Sequence, residues 1–247
     1  MLLHGFLGSG RNLGAISRRW SAADPSVRLL QVDLPGHGQS PPLPKDATLI
    51  EVAEEILAFL DAIDLRKPIS IVGHSMGGRA ALALRRIAPQ RVDRITLLDI
   101  TPGPTRRIPV GSAARDLIEL PERSKGREAM AAPLLAKGYS RAMVDWLLMN
   151  LIRDDEGYRW RIDREALHAL HIRSATIDFW PEVAQAPERT MQVHGSDSHY
   201  VPPTDIERFE KLGVRVETIV GAGHFLHVDQ PDEIAAIITR HALGNEP

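Results

Sequence analysis

The chain has 247 residues, 43% hydrophobic and 25% charged, as expected for one globular domain with room for an inserted lid. Its 30 Lys+Arg against 32 Asp+Glu leave a net charge of -2, so no electrostatic footprint for nucleic acid is present. The absence of cysteine excludes disulfides, thiolate nucleophiles and thiolate-bound metals. No apolar run approaches membrane-spanning length and no signal peptide precedes the first element, so a cytoplasmic location is expected.

Met1-Leu2-Leu3 reads as an apolar strand that runs straight into the glycine loop His4-Gly5-Phe6-Leu7-Gly8-Ser9-Gly10. A strand starting at the first residue leaves no room for shielding edge strands. Either the architecture is trimmed here or the true start lies upstream of Met1. Asn12 to Trp20 reads as a short helix. Val27 to Asp33 is a second strand, ended by a Pro- and Gly-rich loop from Leu34 to Ser40 that cannot be helical. Thr48 opens a helix, with Glu51 completing a capping box. Ile50, Ala53, Ile56, Leu57, Leu60 and Ile63 give that helix one apolar face.

Ile69 to Val72 is an apolar strand, followed by Gly73-His74-Ser75-Met76-Gly77 and a helical run from Gly78 that ends near Pro89. Arg94 to Leu98 is a buried-type strand, ended by Asp99-Ile100-Thr101-Pro102. Strands alternating with helices predict an α/β fold, a mostly parallel sheet covered on both faces. From 103 to 189 the rhythm changes, strand-like runs vanish, and helices are expected over Ala113–Leu120, Gly126–Ala136, Arg141–Arg153 and Arg164–Ser174. An insertion of this length after a sheet strand predicts a helical cap, with 1–102 and 190–247 forming the core. The α/β rhythm resumes with a strand at Thr190–His194, a helix at Ile206–Leu212 and a strand at Val214–Ile219. The glycine loop Gly221-Ala222-Gly223-His224 and a helix from Pro231 to Ala242 close the chain.

Strand, abrupt glycine turn, helix is the setting in which Gly-x-Ser-x-Gly forms a nucleophile elbow. Ser75 is then the nucleophile, and a neutral hydroxyl needs a base. Of ten histidines, His224 is the candidate, because its loop hangs over the sheet edge where Ser75 sits. His227 lies in the same segment but further from the glycine turn. His168 and His171, three apart on a helix, have no carboxylate partner to complete a metal site. A tetrahedral oxyanion needs two preorganised N–H donors. Met76 at the helix start supplies one, and the loop at Phe6 supplies the other.

Taken together, His4-Gly5-Phe6, the loop from Asp33 to Ser40, Gly73-His74-Ser75-Met76-Gly77-Gly78 and Gly221-Ala222-Gly223-His224 make the chain resemble the α/β-hydrolase family along nearly its whole length. Gly78-Arg79, Asp99-Ile100-Thr101-Pro102, Asn150-Leu151 and Gly157-Tyr158-Arg159-Trp160-Arg161 resemble small bacterial esterases related to α/β-hydrolase domain-containing protein 11. The resemblance implies hydrolysis of short acyl esters or thioesters by a Ser-His-Asp triad, with no cofactor and no metal. Phe6, Trp146 and Trp160 are the side chains expected to contact substrate. The third triad member is open between two acids. The family's usual position falls on Ser198, with Asp197 one residue early, whereas the esterase subgroup implies Asp99, which is preferred. The expected partner is a small ester or thioester, the expected assembly a monomer or homodimer. Rival readings are a lyase resembling the menaquinone-pathway synthase, which also carries an arginine where Arg79 stands, and a carbon–carbon bond hydrolase. A non-enzymatic ligand-binding module is the remaining alternative. Acyl length and leaving group are not legible.

Overall fold

The computed structural model describes residues 1–104 and 109–244, and of 109–112 the backbone only. In chain order the first half runs β1 (Leu2–Leu3), α1 (Gly14–Ala23), β2 (Gln31–Val32), α2 (Leu49–Ala62), β3 (Ile69–His74), α3 (Met76–Ile87) and β4 (Val92–Leu98). The segment that follows holds α4 (Pro109–Ile118), β5 (Arg123–Ser124), α5 (Arg127–Ala136), α6 (Arg141–Leu147), β6 (Leu151–Asp154), β7 (Gly157–Trp160), α7 (Arg164–Ser174) and α8 (Trp180–Gln185). The chain ends with β8 (Thr190–Gly195), α9 (Pro203–Lys211), β9 (Arg215–Ile219), α10 (Leu226–Asp229) and α11 (Pro231–Ala242). Six strands form one sheet in the order β2-β1-β3-β4-β8-β9, and every pairing in it is parallel. All six strands therefore end at the same edge, and the loops leaving them gather there.

The sheet is buried on both faces. Ile71, Ile95 and Leu97 pack with Ile56, Leu60, Ala80 and Leu84 of α2 and α3. Val72, Leu98 and Met191 pack on the other side with Ile16 and Trp20 of α1 and with Ile234 and Ile238 of α11. Alternation along each strand assigns its side chains to these two layers. The Thr48 capping box forms as expected: Thr48 N–H donates to Glu51 at 2.8 Å and the Thr48 hydroxyl accepts from Ile50 N–H.

Three local readings need correction. The strand expected over Val27–Asp33 is only Gln31–Val32, because β1 offers it two residues to pair with, Leu2 and Leu3. The helix expected over Arg141–Arg153 stops at Leu147, turns through Leu148–Asn150 and becomes a strand. Strands are not missing from the inserted segment either: β5, β7 and β6 form a three-stranded antiparallel sheet. The cause is Gly157, whose φ of +126° only glycine adopts readily. It closes a hairpin in which Asp154 Oδ1 accepts from Glu156 N–H at 3.0 Å. Two short alternating runs flanking an acidic glycine turn were the sequence signal for that hairpin.

Arg79 of α3 ties this segment down at two places. Its buried guanidinium donates to Thr101 O and Gly103 O, where the chain leaves β4, and to Ser174 O and Ile177 O, at the end of α7 and just beyond it. Burial lowers its pKa to about 10, so it remains charged near neutral pH. Arg79→Met would leave four carbonyls without this donor. The expected outcome in urea denaturation is a loss of about 3 kcal/mol. An unchanged midpoint would contradict the role.

Four buried histidines lie at this edge of the sheet, and three of them, His4, His37 and His74, hydrogen-bond to its loops. His4 Nε2 accepts from Leu34 N–H at 2.9 Å and His37 Nε2 accepts from Leu7 N–H at 3.2 Å. Burial pushes His4 down to about 4, His37 to about 3, His227 to about 4 and His74 well below its ordinary value. Their folded pKa values lie below the unfolded value of 6.5, so below pH 6.5 the unfolded chain binds more protons. The stabilisation is complete above pH 6.5 and is lost as pH falls toward 4, at up to about 1.4 kcal/mol per pH unit for each histidine. Urea midpoints should fall steeply between pH 7 and pH 5. A flat profile over that window would contradict the neutral, buried state of these rings.

Candidate active site

The elbow at Ser75 is built from a strained backbone and two close approaches. Ser75 adopts φ +52° and ψ −120°, a conformation that a residue with a side chain adopts only when its surroundings hold it there. Here Ser75 N–H donates to Leu98 O at 3.0 Å, while Ser75 O accepts from Gly78 N–H at 3.0 Å. A Cβ on Gly73 would lie 2.5 Å from Gly77 and Gly78 backbone, and one on Gly77 would collide with the Leu3 and His4 carbonyls. Both glycines are therefore required by space alone, and they let α3 start hard against the sheet.

Asp99, immediately after β4, is fully buried and also has positive φ, at +54°. Its carboxylate meets three donors. His224 Nδ1–H donates to Oδ2 at 2.7 Å, Ser198 Oγ–H donates to the same oxygen, and Gly195 N–H donates to Oδ1 at 3.3 Å. A carboxylate oxygen can only accept, so the His224 proton sits on Nδ1 and the neutral ring keeps its lone pair on Nε2. The Tyr200 ring stacks on the imidazole at 3.6 Å between centroids, 12° from parallel. Burial, then the Asp99 charge, raises the Tyr200 hydroxyl to about 12, so it stays neutral.

Of the two acids weighed from sequence, the structure brings only Asp99 to His224. Asp197 is exposed and faces elsewhere: its Oδ1 accepts from Ser196 Oγ at 2.8 Å, and its N–H donates to Ala222 O. The turn after Gly195 explains this, because it points Ser198 inward and Asp197 outward. Ser198 and Tyr200 were not assigned roles from sequence, although Ser198 occupied the position where an acid was sought.

Ser75 and His224 line one cavity together with Gly5, Phe6, Asn12, His74, His227 and Phe225, under Met143 and Trp146 of α6. Its free volume is about 20 Å³, room for about one water molecule. Trp146 meets Phe225 edge-on at 5.4 Å. Trp160 is not in this cavity. It is 5% exposed, donates Nε1–H to Pro121 O at 3.0 Å, and lies under the Arg164 guanidinium, as a core residue of the inserted segment. The hairpin that interrupts the expected helix carries it away from the site. His171, weighed as a metal ligand with His168, instead stacks on the Phe6 ring at 4.4 Å.

The peptide between Gly5 and Phe6 is fixed in orientation. Gly5 O accepts from His4 Nδ1–H at 2.7 Å and from Gly8 N–H at 3.0 Å. In a trans peptide the N–H points opposite to the carbonyl, so Phe6 N–H is directed away from His4 and Gly8. Met76 is the first residue of α3, where backbone N–H groups lack intrahelical partners and carry partial positive charge.

Comparison with known proteins gives a consistent picture. The profile of the Alpha/beta hydrolase family matches residues 1–237. The sn-1-specific diacylglycerol lipase ABHD11 of Mus musculus is 29% identical over 97% of this chain and 79% of its own length. Esterase YbfF of Escherichia coli (strain K12) is 29% identical over 98% of this chain and 91% of its own. A solved structure of a marine microorganism esterase superposes with a TM-score of 0.83 at 25% identity, covering 97% of this chain and 93% of that one. A match over almost the whole length, to a chain whose sheet order and strand-end loops are those described above, establishes that this protein belongs to the α/β-hydrolase family.

Proposed function

We propose that the chain is a serine hydrolase of carboxylic esters, and of acyl thioesters, that works through an acyl-enzyme. The observation that carries this reading is the 2.7 Å bond from His224 Nδ1 to buried Asp99, on an imidazole that shares its cavity with the strained Ser75. Ser75 Oγ attacks the acyl carbonyl while His224 Nε2 takes its proton. Asp99 holds the ring in the required tautomer and stabilises the imidazolium. The N–H groups of Phe6 and Met76 bind the oxyanion. Collapse of the tetrahedral intermediate returns the proton from His224 to the departing alcohol or thiol. Water then attacks the acyl-enzyme by the same route and restores Ser75. Relatives named as esterase and diacylglycerol lipase support ester cleavage.

The segment from 103 to 189 serves as the cap over this chemistry, with Met143 and Trp146 as the roof. A cavity of about 20 Å³ does not hold an acyl chain, so the roof shifts when substrate enters. The lyase alternative fits less well. Both terminal nitrogens of the buried Arg79 guanidinium are engaged by backbone carbonyls, and Arg79 does not line the cavity that holds Ser75, so it offers no cation to an anionic substrate there.

Activity toward a short p-nitrophenyl ester tests the assignment. Ser75→Ala should lower kcat by more than about a thousandfold. Asp99→Asn should lower it by about 10³- to 10⁴-fold, and Asp197→Asn by less than about twofold, as expected of an exposed residue away from the site. Full activity in Ser75→Ala, or equal losses in the two aspartate variants, would refute the reading.

A further inference from the structure

Besides the His171 ring stacked on Phe6, the cap reaches the loop that carries Phe6 by a hydrogen bond from one buried side chain. Asn150 closes the turn after α6 and uses both Nδ2 protons, one on Leu7 O at 2.8 Å and one on Leu147 O at 3.1 Å. Its backbone carbonyl accepts from Arg161 N–H at 2.8 Å, which seats the turn on the β6–β7 hairpin. Leu7 is held from its other side by His37, the acceptor for its N–H. A φ of +58° at Leu7 is costly for a residue with a side chain and persists only where neighbours fix it. Leu147 ends the helix whose Met143 and Trp146 roof the cavity. A single carboxamide thus joins the roof to the loop beside the nucleophile.

We infer that Asn150 is a positioning residue which, acting through Leu7, holds the Phe6 N–H where a tetrahedral oxyanion forms. The inference rests on the ester-hydrolase reading above and extends it: the oxyanion site is complete only while the cap is seated. The requirement is for a donor at both hydrogen positions. Aspartate has the same shape but would set an acceptor against two carbonyl oxygens. Arg127 provides a control, because it donates to Leu148 O at 2.7 Å and Asp145 O at 3.1 Å. It supports the same turn through bonds that do not involve Leu7.

The test compares wild type, Asn150→Asp, Asn150→Ala and Arg127→Ala on a p-nitrophenyl ester and on an arylboronic acid, whose adduct with serine mimics the oxyanion. Loss of a whole oxyanion donor costs about 10²- to 10³-fold, and a displaced donor should cost less. In Asn150→Asp we expect kcat to fall about ten- to a hundredfold with KM within about threefold, and boronate affinity to fall in parallel. Asn150→Ala should move the same way by a smaller factor, and Arg127→Ala should stay within about threefold of wild type. Amide exchange over residues 4–8 should quicken in both Asn150 variants, which reads the brace independently of turnover. Unchanged kcat and exchange in both Asn150 variants, or an equal kcat loss in Arg127→Ala, would overturn the inference alone. A wild-type chain with neither ester hydrolysis nor boronate binding would overturn the hydrolase reading and the inference with it.

Discussion

The contact on which the site depends is the bond between His224 and Asp99. A fully buried carboxylate is expensive to desolvate unless its oxygens are matched by donors. Here the donors come from the ends of two further strands, Gly195 as the last residue of β8, Ser198 in the loop after it and His224 in the loop after β9. A parallel sheet is what makes this possible, because it ends β4, β8 and β9 at one edge in adjacent register. The acid fixes the imidazole tautomer, and the imidazole in turn justifies burying the acid. The one bond therefore serves both partners, orienting the ring and matching a buried carboxylate oxygen.

Strain is concentrated at the same edge. Leu7, Ser75 and Asp99 all adopt positive φ, and each sits in a loop directly following a strand. Each is held by hydrogen bonds from a neighbouring element: Leu7 by His37 and Asn150, Ser75 by Leu98, Asp99 by Val193. The neutral histidines His4 and His37 belong to this scaffold rather than to proton transfer, since both ring nitrogens of each are engaged with backbone. A rigid frame of this kind aims donors before the substrate arrives, which is where electrostatic catalysis gains most.

Much of this was legible in the sequence because it rests on local rules. The α/β alternation, the glycine elbow, the Thr48–Glu51 cap and the terminal histidine loop all follow from spacing and residue type. The rest depends on contacts between distant segments. Asp99 and Asp197 are both strand-end acids, and only the inward turn at Ser198 separates them. Tyr200 carries no motif of its own, and its stacking on His224 appears only once the β8 loop folds over the site. In the inserted segment, an apolar run around Trp146 suits a helix, but Gly157, eleven residues further on, turns its end into a hairpin, which removes Trp160 from the cavity. Such a segment has no sheet rhythm to constrain it, so local pattern alone misplaces its side chains.

The central claim is that Ser75 is a nucleophile activated by its surroundings, and covalent labelling tests it most directly. Treatment with a fluorophosphonate followed by peptide mass spectrometry should place one adduct on Ser75, formed much more slowly in His224→Ala. Adduct formation at another residue, or labelling of Ser75 at the same rate without His224, would contradict the account.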